Sequence, residues 1–191
     1  MEHERKQVNL YLVSSLKGPK RRSGAYGYVL ERKTSKGTAT LTNVKAVEDS
    51  TEHQSLLIAM LEAAKRLNEP CDLTIYTDDG YIDSAITTWI PQWQQSGWMN
   101  KKGMPVADAD KWQQFCSITS GHRIAVILKE THEYHDWLMR ETDSVAKGNP
   151  FRPPDNISHV TGTQVGKAGQ CAGRKGEICT ADLENLIHLK K

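Results

Sequence analysis

A helix set between two β-type segments constrains the fold of this chain more than any other feature. Thr51 and Gln54 form a capping pattern that marks a helix start, and apolar residues then recur at helical spacing up to Leu67. The β-type run DLTIYT, residues 72–77, follows the end of this helix. A strand that follows a crossover helix is predicted to pair in parallel with an earlier strand, so we expect an α/β protein.

The segments before this helix are predicted to be antiparallel strands. Residues 8–13 form one β-type run, and the runs GAYGYVLERK and TATLTNVKAV form a hairpin around the turn TSKG. Further along the chain, residues 124–128 (IAVIL) predict another buried strand, and residues 135–146 predict a last helix. We expect residues 8–13 to lie centrally in a mixed sheet, beside residues 72–77.

Composition limits what the chain can bind and where it can reside. Its 25 Lys and Arg residues barely exceed its 23 Asp and Glu residues, so any nucleic-acid surface must be local. The four cysteines are scattered, which predicts reduced thiols. The sequence contains neither a signal peptide nor an apolar run long enough to span a membrane, so we expect a cytoplasmic protein without a membrane partner.

A change in composition predicts the domain organisation. Residues 1–145 are predicted to form one domain. Residues 146–191 are rich in Pro and Gly and contain few large apolar side chains, so we expect a tail that is partly disordered. Within this tail, residues 180–189 are predicted to form a short helix capped by Thr180, and the tail is a candidate docking segment for a protein partner.

The residues after the helix carry a family resemblance. Residues 75–115, IYTDDGYIDSAITTWIPQWQQSGWMNKKGMPVADADKWQQF, resemble the core and the basic protrusion, or handle, of bacterial-type ribonuclease H. The segments GAYGYVL and STEHQSLLIAMLEAAKRL resemble its second strand and first long helix, and the likeness extends over residues 8–146. The resemblance implies a ribonuclease H-like fold, a five-stranded mixed sheet flanked by helices with a handle-like protrusion.

The family's activity depends on carboxylates that this chain mostly lacks. The resemblance implies cleavage of the RNA strand of an RNA·DNA hybrid by two Mg²⁺ ions held by three Asp and one Glu. Two such ions lie only about 4 Å apart, so several carboxylates must converge on them. The matching positions are Val13, His53, Asp78 and Thr142, which leaves Asp78 as the one matched carboxylate. Weaker candidates beside the matched positions are Glu52, Asp79 and Asp143, together with His132, which matches a histidine thought to help product release.

Two basic segments predict contacts with nucleic acid. One lies after the first strand, and the other lies in the handle, where the family meets phosphate and sugar. The candidate binding residues are Lys17, Lys20, Arg21, Arg22, Trp93, Trp98, Lys101 and Lys102. Tryptophans at the spacing of Trp89, Trp93, Trp98 and Trp112 more often pack one short helix against another, so we expect most of them to belong to the core.

Three hypotheses follow. The leading one is a degenerate, non-hydrolytic protein that grips RNA·DNA hybrid or duplex nucleic acid and needs no cofactor. The first alternative is an active nuclease whose altered magnesium site consists of Glu52, Asp78, Asp79 and Asp143. The second alternative is a protein-interaction scaffold. A histidine at position 53 also suits zinc better than magnesium, although Asp78 alone would hold a metal weakly.

Overall fold

The computed structural model describes residues 5–153, which build one five-stranded mixed sheet in the order β3-β2-β1-β4-β5. The elements in chain order are β1 (Lys6–Ser14), β2 (Arg22–Thr34), β3 (Gly37–Ser50), α1 (Glu52–Ala64), β4 (Cys71–Thr77), α2 (Gly80–Ser84), a π-helical turn (Ala85–Trp89), α3 (Ile90–Gln95), α4 (Ala109–Thr119), β5 (Arg123–Leu128) and α5 (His135–Ala146).

Strand β1 lies at the centre of the sheet, as the sequence predicts. It pairs antiparallel with β2, where Leu10 faces Leu30, and in parallel with β4, where Leu10 faces Ile75. Strands β2 and β3 form the predicted hairpin around the TSKG turn. Because β1 and β4 run in the same direction, their carboxyl ends meet at one edge of the sheet, which is where the candidate site lies.

Helices cover both faces of the sheet. Thr51 caps α1, since its hydroxyl accepts a hydrogen bond from the Gln54 backbone N–H at 3.2 Å. Helix α1 buries apolar side chains such as Leu56 and Met60 in the same core as Leu10 of β1. On the other face α5 packs closely, because a Cβ added at Gly27 would lie 3.1 Å from the side chain of Leu138.

A tryptophan cluster joins the short helices between β4 and β5. Trp112 is fully buried, and Trp93 lies within about 6 Å of its neighbours, with ring centroids 5.8 Å from Trp89, 6.2 Å from Trp98 and 6.0 Å from Trp112. These half-buried rings pack against the main core. The predicted structural role of most of these tryptophans is therefore confirmed.

Strand β5 corrects one expectation. The apolar run Ile124–Leu128 was expected to be buried, but Ile127 and Leu128 are 40% and 53% exposed. The reason is the position of the strand, because within residues 5–153 β5 pairs with β4 alone and forms an edge of the sheet. Ile124 and Val126 pack against the main core, whereas Ile127 and Leu128 remain exposed.

A polar network ties β1, β2 and α5 together. Glu31 of β2 is only 5% exposed, and its carboxylate accepts hydrogen bonds from the Tyr134 hydroxyl at 2.5 Å and from the Asn9 amide at 3.1 Å. The Tyr11 hydroxyl donates to Glu133 at 2.5 Å. A buried carboxylate is costly unless hydrogen bonds satisfy it, so this network fixes the position of α5 on the sheet.

The last described residues continue the packing of α5. Phe151 contacts Trp137, with ring centroids 6.4 Å apart. The predicted boundary between residues 1–145 and 146–191 stays a prediction, and the predicted helix at residues 180–189 lies outside the described part. Between residues 5 and 153 no helix has the length and apolar character needed to span a membrane.

Candidate nucleic-acid interface and carboxylate centre

Two of the four positions predicted to match family carboxylates are buried and uncharged. Val13 is 3% exposed in the apolar cluster under α5, and Thr142 is fully buried and donates its hydroxyl to the Met139 carbonyl oxygen at 2.9 Å. Both lie against Gly27, because Val13 pairs with it and a Cβ added there would lie 3.2 Å from Thr142. The structure thus brings the two positions together, but neither side chain supplies a carboxylate.

Glu52 and Asp78 meet through a lysine. The Lys17 ammonium nitrogen lies 3.0 Å from Glu52 Oε1 and 2.8 Å from Asp78 Oδ2. The second oxygen of Glu52 accepts a hydrogen bond from the Gly18 backbone N–H at 2.6 Å. Burial alone would lower the pKa of Lys17, but hydrogen bonds to Asp78 and Glu52 outweigh it and raise the pKa. The cation is therefore held in its charged form between the two carboxylates.

His53 and Asp79 form a second pair beside the first. His53 Nδ1 lies 2.5 Å from Asp79 Oδ2, and the imidazole stacks on Tyr81 with ring centroids 4.7 Å apart. The other oxygen of Asp79 accepts a hydrogen bond from the Tyr81 backbone N–H at 2.7 Å, which caps α2. Asp79 is thus fully engaged in structural contacts.

Asp143 and His132 occupy separate environments. Asp143 is exposed on α5, next to the buried Thr142. His132 is largely buried, with Nε2 3.4 Å from the Leu12 carbonyl oxygen and Nδ1 accepting a hydrogen bond from the Tyr134 backbone N–H at 3.3 Å. Both ring nitrogens of His132 therefore face groups of the protein itself.

These side chains do not fit a pair of Mg²⁺ ions. A two-ion site needs several converging carboxylates, and residues 5–153 contain no group of three or more His, Cys, Asp or Glu side chains placed to hold a metal. The same finding speaks against a zinc site at His53 in the described part of the chain. Where Glu52 and Asp78 meet, they share the Lys17 ammonium.

The loop between β1 and β2 carries the first basic segment. Arg22 donates to the Lys17 carbonyl oxygen at 2.7 Å, and Arg21 donates to the Asp49 carbonyl oxygen at 2.5 Å. Lys20 is exposed and forms no ion pair with any residue of the described part. Burial raises the pKa of Asp108, but hydrogen bonds from Lys111 and Gln54 and the charges of Lys111 and Arg21 outweigh it and lower the pKa. The loop contacts the start of α1, where the Gly18 carbonyl oxygen accepts a hydrogen bond from the Glu52 N–H at 3.3 Å.

The handle connects α3 to α4. Its tip is a turn in which the Asn100 side-chain oxygen accepts hydrogen bonds from the backbone N–H groups of Lys102 and Met104. Lys101 and Lys102 are exposed at this turn. At the base, Gln54 of α1 donates to Asp108 at 2.8 Å, which anchors the handle to the start of α1. The base of the handle and the loop between β1 and β2 therefore adjoin the same end of α1.

Sequence reasoning missed the role of Lys17 in the centre. Position 17 was identified only as one member of a basic cluster, with no partner assigned. The sequence places Glu52 one residue, or about 100° around a helix, from position 53, which makes it only a weaker candidate. The long side chain of Lys17 brings an ammonium group to both Glu52 and Asp78. No sequence pattern signals such a contact.

Comparisons with known proteins agree with this architecture. Residues 5–149 match the family model of RNase H. Ribonuclease HI of Xylella fastidiosa (strain Temecula1) is 37% identical over 110 residues, covering 58% of this chain and 73% of the relative. Ribonuclease H of Cupriavidus pinatubonensis is 30% identical over 129 residues, covering 68% of this chain and 86% of the relative.

Solved structures share the fold at lower identity. A type 1 RNase H with the type 2 active-site motif is 20% identical, with a TM-score of 0.65 over 78% of this chain and 75% of the other. The foamy viral protease–reverse transcriptase in complex with RNA/DNA hybrid is 17% identical, with a TM-score of 0.54 over 75% of this chain and 19% of the other. These solved structures show the shared fold, whereas the family model over residues 5–149 and the two curated relatives show that the chain belongs to the ribonuclease H family.

Proposed function

We propose that this protein binds RNA·DNA hybrid or duplex nucleic acid without hydrolysing it. The observation that carries the proposal is the pair of exposed basic segments, of which the loop between β1 and β2 supplies the Lys17 ammonium that neutralises the carboxylate centre. Lys20 and the handle lysines Lys101 and Lys102 are exposed, and both segments are anchored near the start of α1. A solved protein of this fold was captured with RNA/DNA hybrid, which supports the choice of ligand.

Phosphate contacts are expected to supply most of the affinity. Exposed ammonium groups release counterions from a nucleic-acid backbone when they contact it, and this contribution carries no sequence information. Trp93 and Trp98 at the handle are half-buried and could add sugar contacts at their exposed edges. We therefore expect binding that recognises duplex geometry and weakens steeply with salt.

The charges of the carboxylate centre support the absence of hydrolysis. Phosphoryl transfer by two metal ions depends on ligands that hold both ions in place. Val13 and Thr142 provide no charge, and Glu52 and Asp78 are occupied by Lys17. Mg²⁺ is a cofactor of this chain only if the altered-site alternative holds.

One labelled RNA·DNA hybrid tests both parts of the proposal. Its affinity is measured by fluorescence anisotropy at several salt concentrations, for the wild type and for Lys101→Ala/Lys102→Ala. Each phosphate contact contributes about 0.7 to 0.9 to the slope of log K against log salt, so the double variant should lower that slope by roughly 1.5. The matched control is Lys33→Ala/Lys65→Ala, which removes two exposed charges elsewhere and should leave the slope unchanged.

The same hybrid is then incubated with Mg²⁺ or Mn²⁺. We expect RNA cleavage no faster than in buffer. Cleavage that persists in pure protein and disappears in Asp78→Asn would instead establish the altered-site nuclease. Absence of binding even at low salt would favour the protein-interaction scaffold.

A further inference from the structure

We infer that Lys17 is the resident cation of the carboxylate centre, and that it takes the place of a divalent metal ion between Glu52 and Asp78. One ammonium nitrogen contacts both carboxylates, at 3.0 Å and 2.8 Å. The side chains of Glu52 and Asp78 are only 13% and 23% exposed, whereas that of Lys17 is 54% exposed. The lysine therefore reaches inward from the loop to cover two largely buried anions.

The contacts around Lys17 fix it more firmly than an ordinary surface ion pair. Its carbonyl oxygen accepts a hydrogen bond from Arg22, and the next residue, Gly18, exchanges backbone contacts with Glu52. Gly18 donates its N–H to Glu52 Oε2 at 2.6 Å, and the Glu52 N–H donates to the Gly18 carbonyl oxygen at 3.3 Å. Isolated ion pairs on a protein surface contribute little to stability because their side chains are mobile. The loop that carries Lys17 is instead held at several points.

Electrostatics explains why a cation is required. Two carboxylates that share a site repel each other, and an opposite charge within hydrogen-bonding distance removes that repulsion. A metal ion could enter only by displacing the Lys17 ammonium, which is covalently tethered and therefore present at a high effective concentration. The pair Glu52–Asp78 is consequently closed to divalent ions as long as Lys17 is in place.

The direct test is a Mn²⁺ titration without nucleic acid, in which binding is measured by electron paramagnetic resonance and by calorimetry. Lys17→Met should expose the two carboxylates and bind Mn²⁺ at least about tenfold more tightly than the wild type, with a dissociation constant on the order of 1 mM or below. Lys17→Arg should behave like the wild type because it keeps the charge. Lys20→Met is the matched control, since it removes a lysine of the same loop that has no ion pair within residues 5–153, and it should gain no Mn²⁺ binding.

A second substitution tests whether Glu52 and Asp78 form the Mn²⁺ site that Lys17→Met gains. Glu52→Gln added to Lys17→Met should abolish the gained Mn²⁺ binding, because only one carboxylate then remains. Lys17→Gln provides an independent route to the same result if Lys17→Met proves unstable, and thermal unfolding confirms that each variant is folded. The inference is overturned if the wild type binds Mn²⁺ as tightly as Lys17→Met, or if both folded Lys17 variants gain no binding.

The inference also deepens the proposed function. The hybrid-binding test that follows rests on that proposed function. If Lys17 replaces the metal, hybrid affinity of the wild type should be the same in EDTA and in Mg²⁺ at equal ionic strength. A hybrid affinity that requires Mg²⁺ would contradict the inference about Lys17. A complete absence of hybrid binding would contradict only the proposed function, because the Mn²⁺ titration remains valid without nucleic acid.

Discussion

His132 should make the stability of the protein depend on pH. Burial, the largest effect, lowers the pKa of His132 from 6.5 to about 4, and the charges of His135 and Lys129 add to it, while the Leu12 carbonyl and Asp78 oppose it. The hydrogen bonds agree with a neutral ring. Nδ1 accepts a hydrogen bond from the Tyr134 N–H, so a proton on Nδ1 would place two donors face to face.

The direction of the effect follows from the sign of this shift. A histidine whose pKa is lower in the folded state stabilises the fold above its unfolded pKa, and this stabilisation is lost as the pH falls toward the folded pKa. The pKa of His132 is 6.5 when unfolded and about 4 when folded. This difference in pKa corresponds to roughly 3 kcal/mol in the free energy of unfolding. About 2 kcal/mol of it should be lost between pH 7.5 and pH 5.

The measurement compares the wild type with His132→Gln. Glutamine cannot titrate, and its amide can still donate to the Leu12 carbonyl oxygen. The free energy of unfolding is measured by urea titration at pH 7.5 and pH 5, and the wild type should lose about 2 kcal/mol more than the variant. An NMR titration of the His132 ring gives a direct check. Equal losses in both proteins, or a titration midpoint above pH 6, would refute the reasoning.

Two further predictions concern buried charge. Tyr134→Phe removes a hydrogen bond to the buried carboxylate of Glu31 and should lower the free energy of unfolding by about 2 kcal/mol, whereas Tyr11→Phe, whose partner Glu133 is exposed, should cost less when measured in the same urea titration. The triple change Val13→Asp, His53→Glu and Thr142→Asp, made together with Lys17→Met, should bind Mg²⁺ by calorimetry. A folded variant of this kind that binds no metal would show that the aligned positions are wrong.

The sequence predicted the sheet because its signals are local. The capped helix α1 between two β-type runs required a parallel pair, and β1 and β4 are indeed adjacent and parallel. The same local signals failed for β5, since an apolar run indicates a strand without indicating whether a neighbour covers it. Exposure of Ile127 and Leu128 depends on the order of strands in the sheet, which is a property of the whole fold.

The residue types at the candidate site could be read from the sequence, but their contacts could not. Alignment placed Val13 and Thr142 at family carboxylate positions, and the structure brings both to Gly27. Lys17 contacts Glu52, which lies 35 positions away in the sequence, and Asp78, which lies 61 positions away. Long flexible side chains follow no sequence period, so only the placement of the β1–β2 loop reveals which carboxylates this lysine neutralises.

A centre that is stable without metal must match each buried negative charge with a partner from the chain. Carboxylates at positions 13 and 142 would be buried without such a partner, and desolvation of an unpaired charge is costly, so an uncharged side chain at each position is the stable solution. Asp79 is paired with His53 and with the start of α2, and Glu52 and Asp78 are paired with Lys17. Asp143 needs no partner because it is exposed to water. The substitutions therefore form a consistent set, in which reintroducing a single carboxylate should destabilise the fold before it recruits a metal ion.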